Sequence, residues 1–158
     1  MTAVTVDRVG GDDLADLLPL LRGYCDFYRV APSDEDLVAV CRALIADPDR
    51  EGLQLIARDE NGRAVGFATI YWSWSTTQAA RLGVMNDLFV AEGSRGAGVA
   101  EGLIDACRKE CARRGVPRLA WQTAPENRRA QAVYERIGAT REQWVDYWLA
   151  TEANDEDR

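Results

Sequence analysis

Histidine is absent from this 158-residue chain. No imidazole can therefore act as general base, pair with a Ser or Cys nucleophile, or ligate a metal. The four cysteines, Cys25, Cys41, Cys107 and Cys111, follow no zinc spacing. Cys107 and Cys111 fall in phase with Leu103 and Ile104 on an expected helix, so they read as small buried hydrophobes, and no metal site is expected. Apolar runs are too short to cross a bilayer, and the first residues lack a basic-then-apolar signal segment. The sequence-based expectation is therefore a cytoplasmic protein with no membrane partner. A basic surface is missing too. With 19 Lys and Arg against 26 Asp and Glu, the net charge of −7 argues against nucleic acid and favours a cationic acceptor such as an amine.

Hydrophobic residues make up 47% and charged residues 28%, an ordinary globular composition at a length that suits one domain. The expected domain is 1–150, followed by a charged tail, 151–158. Val4–Val9 alternates as a strand. Leu14, Leu17, Leu18, Leu21, Tyr24, Cys25 and Tyr28 recur at helical spacing, with Pro19 inside as a candidate kink. Ser33 opens a second helix with Leu37, Val40, Leu44 and Ile45 inward. Leu53–Arg58 and Ala64–Trp74 form a hairpin around Asn61-Gly62, and a polar loop is expected over Ser73–Arg81. Then come a strand at Val84–Val90, a helix at Gly98–Arg114 ended by Gly115, a strand at Arg118–Thr123, a helix at Asn127–Ile137 and a last strand at Gln143–Leu149. The helix between the strands at Val84–Val90 and Arg118–Thr123 makes them a parallel pair in a mixed α/β sheet with helices on both faces.

The richest stretch runs from Met85 to Leu103. An apolar strand leads into Arg95-Gly96-Ala97-Gly98-Val99-Ala100 and a helix start. Such a turn points free N–H groups and the positive end of a helix dipole at one spot, as a pyrophosphate requires. No lysine follows Gly98, so it is not a P-loop. Glu101 occupies the position of the third glycine of a dinucleotide fingerprint, so that match also fails.

Arg95 to Ala100 instead resembles the coenzyme A signature Gln/Arg-x-x-Gly-x-Gly/Ala of the GNAT superfamily of N-acetyltransferases. Asn127-Arg128-Arg129-Ala130-Gln131-Ala132-Val133-Tyr134 resembles its later motif, Asn-x-x-Ala-x-x-x-Tyr. Together they cover roughly Gly66 to Leu149, and the stretch from Gly66 to Val90 is similar to small bacterial amine acetyltransferases. The resemblance implies a mostly antiparallel sheet whose one parallel pair splays apart at the acetyl-CoA site. It assigns the pyrophosphate to the amides of Arg95, Gly96, Ala97, Gly98, Val99 and Ala100, and the pantetheine arm to the backbone of Leu88, Phe89 and Val90. Asn127 stands where the family bonds the cofactor arm, and it is equally a helix cap. Tyr134 stands where the family has its acid.

The base stays open. Some polyamine acetyltransferases of the family carry a glutamate where this chain has Asn86, which lacks basicity. Asp87 beside it reads as a base or a structural hydrogen-bonding group, and an ordered water is the third option. Tyr24 and Tyr28, four apart on a helix, and Trp72 and Trp74, two apart on a strand, are candidates to wall a small amine, or simply core aromatics. The implied activity is direct acetyl transfer from acetyl-CoA to a primary amine in a ternary complex. A non-catalytic acyl-CoA sensor and a protein N-terminal or lysine acetyltransferase are the alternatives. The aromatics Trp144, Tyr147 and Trp148 on the last expected strand suggest a homodimer.

Overall fold

The computed structural model describes residues 4–151, so from residue 152 onward the expected tail lies outside the described residues. Nine principal elements follow in order: β1 (Thr5–Arg8), α1 (Leu14–Phe27), α2 (Asp34–Ala46), β2 (Gly52–Arg58), β3 (Ala64–Ser75), β4 (Ala80–Val90), α3 (Val99–Arg113), β5 (Leu119–Ala120) and α4 (Arg128–Arg136). The strands form one sheet in the order β1-β2-β3-β4-β5. Every pair is antiparallel except β4 and β5, which run parallel across the α3 crossover. This is the expected mixed α/β architecture.

Each sheet face buries its own core. On one, Leu53, Leu55, Ala68, Ile70 and Met85 pack against Val99, Leu103, Ile104 and Cys107 of α3. On the other, Ile56 and Phe67 pack against Leu17, Leu20 and Leu21 of α1 and Cys41 of α2. The alternation of β3 between these cores is the period-2 pattern of a strand buried on both sides. Ser33 caps α2 by accepting a hydrogen bond from the Asp36 backbone N–H at 3.1 Å, and Asp34, Glu35 and Asp36 complement the helix dipole. Pro19 sits exposed within α1, which continues to Phe27.

Four expectations need correction. The β3–β4 hairpin extends to the pair Ser75↔Ala80, so the loop expected over Ser73–Arg81 shrinks to residues 76–79. Cross-strand contact explains the extension: the Arg81 guanidinium lies 4.9 Å from the Trp74 ring centroid. Val40 is exposed instead of inward, because α2 rests on the sheet through Cys41 and Leu44. The strand expected over Arg118–Thr123 pairs only at Leu119 and Ala120. Finally, Gln143–Leu149 has the alternation of a strand but no ladder, since no backbone partner lies beside it among the described residues. No described helix is long and apolar enough to cross a membrane.

Candidate active site

β4 organises the site through a bulge. Thr69 is opposite Asp87 and Ile70 is opposite Met85, so Asn86 is the extra residue. The bulge breaks the alternation that would put Met85 on the side of Asp87. Met85, Leu88 and Val90 join the α3 core, while Phe89 faces α1. Asp87 shares the α1–α2 side, where its charge bears on Tyr24, Tyr71 and Cys41. Asn86 itself is exposed and donates from Nδ2 to Asp87 Oδ1 at 2.9 Å.

β4 pairs with β5 only at Gly83 and Val84. From Met85 to Val90 its edge facing β5 carries no ladder, while its other edge stays paired to β3. The parallel pair therefore opens beyond Val84, as the splay requires. Arg95 closes the far end by donating from Nε to the Val90 carbonyl at 3.1 Å.

The turn after β4 uses two of its amides internally: Ser94 N–H bonds Ala91 O and Arg95 N–H bonds Glu92 O. The next three, on Gly96, Ala97 and Gly98, find no acceptor among the described residues. Val99, Ala100 and Glu101 then supply first-turn N–H groups that a helix cannot satisfy internally. Gly96 and Gly98 reach this conformation at φ of 82° and 81°, which a side chain would strain. Unsatisfied donors at a helix start fit a diphosphate. Glu101 does not spoil the cradle, because a hydrogen bond from Arg136 on α4 holds its carboxyl below the usual range and offsets its charge.

One cavity of about 390 Å³ joins this cradle to an aromatic end. Leu88, Phe89, Val90, Arg95, Gly96, Gly98, Val99, Ala100, Asn127 and Tyr134 all border it, with Tyr24, Tyr28 and Asn86 at the other end. Ala97 packs against the α3 core behind the turn. Asn127 caps α4 by accepting from Ala130 N–H at 3.2 Å, and its amide nitrogen makes no bond among the described residues. Capping and facing the cavity thus coexist.

Tyr134 is half-buried, its ring edge-on to Trp121 at 5.3 Å between centroids. Burial, then the neighbouring Tyr28, raises its phenol above the ordinary value. Tyr24 donates its hydroxyl to the Asn86 carbonyl at 3.3 Å. Burial, followed by Asp87 and Tyr28, pushes that phenol up further.

Trp72 and Trp74 do not join the cavity. Trp72 faces the α3 core, donates its indole N–H to Pro48 O at 2.8 Å and lies under the Arg114 guanidinium. Trp74 sits out on the hairpin against Arg81. β3 stays outside the cavity on both faces because β4 stands between it and the opening toward β5: Tyr71, on the Asp87 side with its hydroxyl pushed up to about 12 by burial and then by Asp87, does not border the cavity, and neither does Asp87. Phe27, Met85 and Trp121 also line the cavity and were missed. Phe27 and Trp121 carried a usable signal, one beside Tyr28 and the other on the strand before the Asn127 motif. Met85 faces inward only because of the bulge.

The acetyltransferase (GNAT) family profile matches residues 16–139. An uncharacterized N-acetyltransferase, YhfO of Bacillus subtilis (strain 168), is 33% identical over 126 residues, covering 80% of this chain and 83% of the relative. The D-amino-acid N-acetyltransferase HPA3 of Saccharomyces cerevisiae is 33% identical over 78 residues, 49% of this chain and 48% of its own. Among solved structures, a probable acetyltransferase superposes with a TM-score of 0.81 at 26% identity, over 95% of this chain and 99% of the other. The aminoglycoside N-acetyltransferase AAC(6')-Iy in complex with CoA superposes with a TM-score of 0.82 over 96% and 97% of the two chains. At 21% identity, that last likeness concerns the fold.

Proposed function

This chain belongs to the acetyltransferase (GNAT) family, an acyltransferase that draws on acetyl-CoA, and from that premise we propose direct acetyl transfer to a primary amine of a small molecule within a ternary complex. The observation that carries the reading is the continuity of one cavity from the orphan amides of Gly96–Gly98 to Tyr134 and the Tyr24–Tyr28 face.

The amides of Gly96 to Ala100 would hold the diphosphate, that of Arg95 being engaged by the Glu92 carbonyl, and the unpaired edge of Leu88–Val90 the amide arm. Bound acetyl-CoA supplies an activated acetyl thioester whose sulfur departs as the thiol. Tyr134 would hold a proton at Oη for that departure, as any phenol does at neutral pH, and burial reinforces that hold. An acyl-enzyme is disfavoured because all four cysteines are buried, and burial pushes the Cys107 and Cys111 thiols up, Cys111 to about 11. The amine would lose its proton to an ordered water, or through one to Asp87, which does not itself border the cavity, with Tyr24, Phe27 and Tyr28 walling its apolar body.

Unpaired cysteines suit a reducing compartment, which supports a cytoplasmic setting. Asn86 at the bulge supports a second reading, a module that binds acyl-CoA without transferring it. Thiol release from acetyl-CoA, followed with DTNB across a panel of primary amines, separates the two. Amine-dependent release is expected; calorimetric binding of CoA with no release for any amine would favour the module. Two copies are proposed to pair.

A further inference from the structure

Taken over the whole chain, the net charge of −7 favours a cationic acceptor, yet little of it reaches the cavity. The charged side chains that border the cavity are Arg95, Glu101, Arg129 and Arg136. All four belong to the cradle turn, the first turn of α3 and α4, and Arg136 already offsets Glu101. At the acceptor end Tyr24, Phe27, Tyr28 and Trp121 contribute rings, and Asn86 and Gln122 contribute neutral amides. Two carboxylates bind those amides without bordering the cavity themselves. Asp87 accepts from Asn86 Nδ2 at 2.9 Å, and Asp146 accepts from Gln122 Nε2 at 2.8 Å. Each amide thus spends a donor on a carboxylate and keeps its oxygen, which accepts no hydrogen bond among the described residues. Such oxygens suit the N–H of one amine, but a neutral group cannot compensate a further full charge.

We propose that the acceptor is an arylalkylamine, a primary amine with an aromatic ring and no second charge of either sign. This names the substrate class of the acetyl transfer proposed above and rests on it. The rings supply the attraction. Tyr28 stands edge-on to Tyr24, at 5.0 Å between centroids and 65°, and to Phe27, at 5.2 Å and 81°. Such angles make a corner, which a further ring can enter edge-to-face or offset. Phe27 and Tyr28 remain 57% and 49% exposed, so a guest ring would cover apolar surface that water now touches. A second ammonium gains less. Cation–π attraction at exposed rings is worth only about two- to fivefold in affinity, too little to offset desolvating an ammonium that has no carboxylate beside it. A carboxylate fares worse, because ring faces are negative and the arginines that border the cavity belong to the cradle turn and α4. Polyamines, aminoglycosides and free amino acids should therefore be poor acceptors, rejected by the charge that the pocket leaves unpaired.

Initial rates of thiol release from acetyl-CoA, followed with DTNB on the full chain, test this with matched amines. D- and L-phenylalanine add a carboxylate to phenethylamine, and putrescine adds an ammonium to butylamine. Each added charge should lower kcat/KM about tenfold or more, and phenethylamine should exceed butylamine about threefold or more. Phe27→Asp, at an exposed position, should raise kcat/KM for putrescine about threefold and lower it for phenethylamine. Putrescine, spermidine or kanamycin at or above butylamine, or phenylalanine level with phenethylamine, overturns the uncharged acceptor and leaves the transferase reading standing. Butylamine level with phenethylamine overturns the aromatic body. An unchanged preference in Phe27→Asp overturns the placing of the acceptor at this end. Calorimetric binding of CoA with no release for any amine overturns the transferase reading and this proposal with it.

Discussion

The Arg95–Ala100 turn and the Tyr24–Tyr28 face of α1 stand at opposite ends of one cavity and offer different chemistry. The turn offers backbone amides held by two left-handed glycines and a helix start. Its chemistry does not depend on which side chains it carries, only on where the backbone is allowed to go. The aromatic end offers rings contributed by α1 and its C-cap, by Trp121 just after β5 and by α4, whose arrangement depends on tertiary packing. Tyr134 sits where the two meet.

The largest expected effect comes from that junction. Tyr134→Phe keeps the ring packed on Trp121 and removes only the hydroxyl. Loss of a general acid costs typically 10²–10⁴-fold, so kcat should fall at least about a hundredfold while the CoA affinity measured by calorimetry stays within about twofold. A near-normal kcat would move the acid elsewhere and leave Tyr134 as a wall.

Next in size is the cradle. Gly98→Val forces a β-branched residue to φ of 81° at the start of α3, costing more than the roughly 1–2 kcal/mol of an ordinary residue there. CoA affinity should drop about tenfold or more, whichever amine is used. If amine selectivity changed instead, the two ends would not be independent.

How much of each end could be read in the residues follows the same division. The turn is local: strand, glycines and helix start are contiguous, so its orphan amides were legible. Tyr134 was legible through a spaced motif on one helix. The aromatic end was legible only on α1, where Tyr24 and Tyr28 share a face. Trp72 and Trp74 stay outside the cavity because β4 separates β3 from its mouth, an order of strands that alternation does not state. The bulge at Asn86 adds a residue that no local pattern announces. Likewise Gln143–Leu149 has the pattern of a strand, yet it makes no ladder among the described residues.

A smaller effect is expected at the aromatic end. Tyr24→Leu removes a ring that contacts Tyr28, Phe67 and Phe89, together with the hydroxyl bound to Asn86 O. Cation–π attraction is worth about 0.5–2 kcal/mol, so KM for the amine should rise roughly 2–30-fold with CoA affinity unchanged. Equal weakening of both ligands would mean that the ring supports β4 instead of the acceptor.

The smallest expected effect is a change that does not occur. An ordinary tyrosine loses its proton near pH 10. Burial first, then Tyr28, raises the value for Tyr134, so its acid form outlasts that of a free phenol as pH rises. The sign is fixed by desolvation: the phenolate is the form that burial disfavours, and a raised value keeps the useful form in place. On the acid side the rate should climb as the amine loses its proton, and no histidine can add an inflection near neutrality. With an amine whose own titration is known, the kcat profile should therefore stay level from that titration up to about pH 10. A descending limb that begins near pH 8 to 9 and survives in Tyr134→Phe would belong to another group. A descending limb that vanishes in the variant would instead mean that the Tyr134 phenol titrates low, contrary to its burial.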